Sequence, residues 1–164
     1  MIAPRKSSFA PIVAPDTRVL ILGSLPGEAS LAASRYYAHP QNQFWRLAGA
    51  AIGREIASLD YDARIAALLG TGVGMWDTVG SARRAGSLDG AIREIAANDL
   101  RALVGSLPGL RAVGFNGGTA ARIGRKALVG TALALIDLPS SSPAYCAVTF
   151  EQKAERWKAL REFL

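Results

Sequence analysis

Apolar and polar positions fall along this chain in blocks, each with its own period. Arg18-Val19-Leu20-Ile21-Leu22 is almost continuously apolar, the pattern of a strand covered on both faces, and predicts a strand over 17–23. Gly23 then permits a turn, and Pro26 stops regular structure. Residues 28–43 read mainly as loop, with a short helical turn over 29–34. Phe44, Leu47, Ala48, Ala51 and Ile52 form one face of an amphipathic helix, which Gly53 ends. Asp60 caps a second helix that turns Tyr61, Ile65, Leu68 and Leu69 inward and closes at Gly70-Thr71-Gly72.

Val73-Gly74-Met75-Trp76-Asp77 predicts a short second strand. Residues 78–89 are polar and basic and read as loop, and Ile92, Ile95 and Ala96 suggest a helix. Asn98-Asp99 breaks it and caps another, carrying Leu100, Leu103, Val104 and Leu107. After the Pro108-Gly109 turn, a third strand covers 110–115, and Asn116-Gly117-Gly118-Thr119 leads into a further helix. A fourth strand covers 131–138 and runs into the rigid loop Pro139-Ser140-Ser141-Ser142-Pro143. Thr149 and Gln152 form a capping box for the last helix, whose stripe is Phe150, Ala154, Trp157, Leu160 and Leu164. Strands alternating with helices predict an α/β fold, a three-layer α/β/α sandwich around a mainly parallel four-stranded sheet, with right-handed crossovers. The 164 residues read as one domain, with 1–16 as a loosely held N-terminal arm.

Composition narrows the classes. Half the residues are hydrophobic, yet no apolar run reaches the length of about 18 that spans a bilayer, and residues 1–15 lack the apolar segment of a secretory signal. Cys146 is the only cysteine, so no disulfide framework or intrachain iron–sulfur cluster can form. With His39 the only histidine, a protein-held zinc site is disfavoured. No metal and no cofactor are expected. A cytoplasmic monomer is, nucleoid-associated in a bacterium. The net charge of +6 and pI near 10.0 point toward nucleic acid, although an arginine-rich proteome gives the same balance.

In open α/β sheets ligands bind beyond the carboxyl ends of the strands. Each predicted strand here ends in an unusual polar loop: Gly23-Ser24-Leu25-Pro26-Gly27, Asp77-Thr78, Asn116-Gly117-Gly118 and Pro139-Ser140-Ser141-Ser142-Pro143. Each alone is compatible with plain turn chemistry; four on one rim suggest a site. The first lacks the Lys-Ser/Thr of a phosphate-binding P-loop and is not G-x-G-x-x-G. No G-x-S-x-G elbow supports a serine hydrolase. A paired-carboxylate glycosidase has only Glu28 and Asp77 to draw on.

The first of these loops, followed by Tyr36-Tyr37-Ala38-His39-Pro40-Gln41-Asn42-Gln43-Phe44-Trp45, resembles the uracil-DNA glycosylase superfamily. It looks closest to the hypoxanthine-DNA (deoxyinosine) glycosylase branch. The loop Leu138-Pro139-Ser140-Ser141-Ser142-Pro143-Ala144 looks like that branch's second motif, and Gly74-Met75-Trp76-Asp77 and Arg84-Ala85-Gly86-Ser87-Leu88-Asp89 are similar to it too. The His39-Pro40-x-Asn42-x-Phe44-Trp45 pattern is shared with mismatch-specific uracil glycosylases. Those relatives carry asparagine where this chain has Leu25 and Leu138, and leucine cannot hold a water.

The resemblance implies a monofunctional, metal-free glycosylase acting on DNA that contains deaminated bases, hypoxanthine first, with uracil or xanthine as further substrates. It implies that Asn42 positions the attacking water and that Tyr37 stacks on the flipped base; helix capping is the other reading of Asn42. Gly23, Ser24, Leu25, Pro26 and Gly27 form a pocket wall with backbone donors. His39, Phe44, Asp77 and Asn116 complete the base pocket, Phe44 and Trp45 also anchoring the helix in the core. Ser140, Ser141, Ser142, Arg83 and Arg84 are expected on the DNA backbone, with Tyr145 as a wedge. The alternative is a nucleic-acid-binding module on the same fold, catalytically silent through Leu25.

Overall fold

The structure is a computed structural model that describes residues 2–164. Its centre is the apolar run read first in the sequence, strand β2 (Val19–Gly23), buried at every position. Chain order is β1 (Arg5–Ser7), β2, α1 (Glu28–Ala33), α2 (Phe44–Ile52), α3 (Tyr61–Thr71), β3 (Val73–Asp77), β4 (Val79–Arg83), β5 (Arg93–Ala97), α4 (Leu100–Gly105), β6 (Ala112–Asn116), α5 (Gly118–Ala127), β7 (Ala134–Leu138) and α6 (Phe150–Trp157).

The main sheet runs β3-β2-β6-β7 and is parallel at every pairing. Side chains alternate across β2. Val19 and Ile21 meet α2, α3 and α6 through Phe44, Leu47, Leu68 and Trp157. Leu20 and Leu22 meet α4 and α5 through Leu100 and Ala120. Two apolar layers, one per sheet face, explain why β2 is continuously hydrophobic, and they make the expected three-layer sandwich. The chain leaves β2 toward β3 on one side and returns to β6 on the other. The order therefore reverses at β2/β6, where a crevice opens at the carboxyl ends.

Three expectations are corrected. Residues 79–83, read as loop, form β4, and residues 93–97, read as helix, form β5; with β1 they make a small antiparallel sheet in the order β1-β4-β5. All five β5 positions are exposed, so no alternation marked the strand. Its helix-forming Arg, Glu and Ala residues were overridden by ladder pairing with β4.

The third correction is the N-terminal arm, which is stitched down. Beyond β1, Ile12 exchanges two backbone bonds of 2.9 Å with Met75 at the free edge of β3. Trp76 Nε1 donates to Phe9 O at 2.8 Å, and Tyr36 Oη donates to Ala10 O at 3.0 Å. The arm thus covers an edge that would otherwise stay open; Met1, assigned to it above, lies outside the described residues. Lys6 Nζ donates to Glu28 Oε1 at 3.0 Å and to Gly86 O at 2.6 Å, joining the arm to the lip of the crevice. Removal of residues 1–8 is expected to lower Tm by several degrees and to open the Arg84–Leu88 loop to trypsin. Unchanged melting and cleavage would show that the arm is loose after all.

Candidate active site

The crevice holds a cavity of about 560 Å3, within the range of small-molecule sites. Its first wall is the turn at 23–27. Gly23 is required there, since a Cβ would lie 2.6 Å from Asp77 Oδ1 and 2.8 Å from Tyr37 Oη. The turn is anchored by backbone bonds from Thr78 N to Gly23 O (2.8 Å) and from Val79 N to Ser24 O (3.0 Å). Leu25 packs with Val79, Ala82 and Ile92 as apolar wall. Ser24 Oγ is not a free donor: it donates to Asp89 Oδ1 at 2.6 Å.

Arg84 corrects an expectation. It is fully buried, and its guanidinium donates to the carbonyls of Leu25, Pro26 and Gly86. It is the internal staple of the 23–27 turn, with no part of it open to solvent. Arg83 lies away from the cavity as well, its Nε donating to Glu94 Oε2 at 2.5 Å and its Nη1 to Ala3 O at 3.2 Å. Two arginines read as DNA contacts thus serve protein partners.

The second wall carries Tyr37, His39 and Asn42. Tyr37 sits at φ 52°, a left-handed conformation uncommon for a non-glycine residue. Trp45 Nε1, donating to Tyr37 O at 3.1 Å, helps hold it there. One face of the Tyr37 ring lies on Phe44, with centroids 3.8 Å apart and planes 7° apart. Phe44 itself is fully buried and does not line the cavity. It backs the tyrosine, which corrects its assignment to the base pocket. Asn42 Oδ1 accepts from Phe44 N–H at 2.9 Å. That bond closes an Asx turn just ahead of α2 and fixes the amide orientation, so the oxygen keeps one further lone pair and the NH2 group has no protein partner among the described bonds. His39 Nδ1 accepts from Gln41 N–H at 3.1 Å, which leaves Nε2 as the proton-bearing nitrogen.

Asn116, at the end of β6, joins the walls. Its Nδ2 donates to Ser141 Oγ at 2.9 Å and to Tyr37 Oη at 3.3 Å, while Oδ1 accepts from Ser141 N–H at 2.8 Å. Both amide hydrogens are committed inside the protein, so Asn116 lines the pocket as a clasp between its walls. Ser141 is likewise buried and spent on this clasp and on accepting Gln43 N–H at its carbonyl (2.9 Å). Of the three serines expected on DNA, only Ser140 and Ser142 stay partly open at the rim. Tyr145 stands on the same rim, exposed.

Asp77 lies in the cavity wall, 4% exposed, with Oδ2 buried and without a hydrogen-bond partner. Burial, then the like charge of Asp89, push its carboxyl up to about 7, against the opposing pull of Arg84. Burial chiefly, with Asp77 adding to it, also raises the Tyr37 hydroxyl far above its ordinary value, so it stays protonated. Asp89, on the cavity wall through its bond with Ser24, was missed as a site residue, although the Arg84–Asp89 segment had been noted. No group of three or more His, Cys, Asp or Glu among the described residues is placed to hold a metal ion.

Residues 10–164 match the family model of the uracil DNA glycosylase superfamily. A hypoxanthine DNA glycosylase of Methanosarcina acetivorans is 35% identical over 155 residues, covering 94% of this chain and 97% of the relative. Another, from Methanosarcina barkeri, is 40% identical over 113 residues, covering 69% and 72%. A solution NMR structure of a candidate uracil DNA glycosylase from Methanosarcina acetivorans superposes with a TM-score of 0.87 at 34% identity, covering 98% of this chain and 99% of that one.

The Asp77 environment gives a pH signature. Its carboxyl sits at about 7 in the folded chain against 3.8 when unperturbed. The folded state therefore binds the extra proton between those values, and this group's contribution is present below about pH 4 and lost as pH rises through 7. The limit is about 4 kcal/mol. Asp77→Asn is expected to raise Tm more at pH 8 than at pH 5. Equal shifts at both would show the carboxyl to be unperturbed.

Proposed function

The chain belongs to the uracil-DNA glycosylase superfamily, and we propose that it hydrolyses the N-glycosidic bond of a deaminated base, hypoxanthine first, turned out of DNA. The observation that carries this reading is a single cavity of about 560 Å3 that gathers Tyr37, Asn42 and Asp77 at the carboxyl ends of the sheet.

The target base first leaves its stack, at a cost of a few kcal/mol that is lowest at mismatches. Tyr37, backed by Phe44, stacks on it, a contact worth about 1–3 kcal/mol. In ionised form Asp77 accepts from N1–H of hypoxanthine, a donor that adenine lacks. Departure is largely dissociative. The C1′–N bond breaks with its electron pair going to the base, and the sugar gains oxocarbenium character. Fixed backbone N–H groups of the 23–27 turn face the growing charge on the base. A water held by Asn42 then bonds to C1′, and its proton passes to the departing base anion, directly or through solvent. An amide is a weak base, but it suffices when the water is needed only after most of the bond breaking. Ser140 and Ser142 hold the flanking backbone, Nε2 of His39 adds a donor at the rim, and Tyr145 fills space as the base departs. No step calls on a metal or cofactor. We place the protein as a monomer on cytoplasmic DNA; among the described residues no helix is long and apolar enough to cross a membrane.

The Asn42–Phe44 bond also suits a purely structural Asn42, and hence a silent DNA-binding module. Single-turnover incubation with duplexes carrying inosine, uracil or xanthine, followed by alkali, separates the two. Strand breaks at inosine are expected, with Asn42→Ala slower by about 100-fold or more and DNA affinity nearly unchanged. Binding without cleavage of any duplex at enzyme excess would favour the silent module.

A further inference from the structure

Beyond the loop at 143–145 lies a second cavity, of about 370 Å3, which shares Pro143 and Tyr145 with the active-site cavity. Gln43, Thr149, Phe150 and Lys153 line it from the other side. Among the described residues Lys153 is its only charged lining side chain, and no Asp or Glu faces it. Lys153 is only 2% exposed, yet it enters none of the ion pairs among the described residues.

A buried ammonium without a counter-charge is costly, and burial here lowers its pKa. Its three N–H donors are poorly supplied. One reaches Gln43 Oε1 at 2.8 Å, and a second reaches Ser142 O only at 3.5 Å, the outer limit of a hydrogen bond. The Tyr145 ring, 5.3 Å away, adds a weak cation–π contact. No neutral partner offsets the charge. The space holds a phosphate and several waters, each about 30 Å3.

The cavity's position identifies the anion. Gln43 follows Asn42 in sequence, and Ser142 belongs to the loop that Asn116 clasps. The two cavities share a wall, so a nucleotide in one brings an adjoining stretch of its own backbone to the other. We propose that the second cavity seats a backbone phosphate of the strand carrying the target base, with Lys153 as its charged contact. This rests on the DNA reading above. It puts a residue that composition did not single out in the place of the buried Arg84, and it couples phosphate capture to the Gln43 and Ser142 segments on either side of the pocket.

The test uses the full chain and inosine duplexes in which a single phosphate near the lesion is made neutral as a methylphosphonate. Wild-type affinity is expected to fall about tenfold at one such position, and the slope of log Kd against log salt to drop by about 0.9. Lys153→Met should show the shallower slope on ordinary DNA and be indifferent to that substitution, while Lys153→Arg should keep the wild-type slope. The neutralised DNA leaves the protein's folding untouched, so a destabilised Met variant does not blur the result. If every neutralised duplex binds wild type as ordinary DNA does, or if Lys153→Met lowers Tm with no change in salt slope, the lysine is structural and the proposal falls. If wild type shows no salt-dependent DNA binding at all, the DNA reading itself fails.

Discussion

The carboxamide of Asn116 is the constraint on which the site depends. It bonds to Tyr37 in the connection between α1 and α2 and to Ser141 in the loop after β7, and it is held at the end of β6, between β2 and β7 in the sheet. Two N–H donors and one acceptor meet three partners, so the group is satisfied and its geometry is unique. Replacing any partner would leave a buried polar atom unmatched, at about 1–3 kcal/mol. That cost makes the pocket a preassembled object. Tyr37 is kept in a left-handed backbone conformation, against Phe44 and below the serine loop, before any DNA arrives.

The preassembly extends outward through buried charge. Arg84 satisfies three carbonyls of the turn and lip, and Lys6 ties the N-terminal strand to the same lip. The small antiparallel sheet therefore acts as a buttress for the crevice. Asp77 is the opposite case, a carboxylate left short of partners on the cavity wall, where a ligand's donor group would complete it. The contrast separates what the chain needs to fold from what it keeps open for a substrate: Arg84 is spent internally, while Asp77 and Lys153 remain uncompensated.

The main sheet was legible because β2 is apolar throughout and its neighbours end in Gly, Asn, Asp or Pro loops. The starts of α2 and α6 followed from Phe44 periodicity and from the Thr149–Gln152 box, which forms as read, whereas α6 ends at Trp157 and residues 158–163 tighten into a 3-10 turn that the stripe to Leu164 did not foretell. β4 and β5 were illegible because β5 buries nothing and carries helix-forming residues. At the site, residues on the polar loops gathered at one cavity because strand ends converge at a switch point. Charge was misread at Arg84: sequence gives an arginine's sign but not its burial, so Arg84 looked like a DNA contact. Lys153 sits on the face of α6 that also buries Trp157, and nothing in its neighbours' polarity marks it. Asp89 and Ser24 meet only through tertiary pairing across 65 positions.

The central claim is that a clasp set before binding, rather than contacts made on binding, positions Tyr37 and the serine loop for excision. The single-turnover rate of Asn116→Ala on inosine DNA at saturating enzyme tests it directly, with Kd and Tm measured alongside. The account predicts a rate lower by about 100-fold, a Tm lower by several degrees and DNA affinity within a few-fold of wild type. A folded Asn116→Ala protein that excises hypoxanthine at the wild-type rate would contradict it.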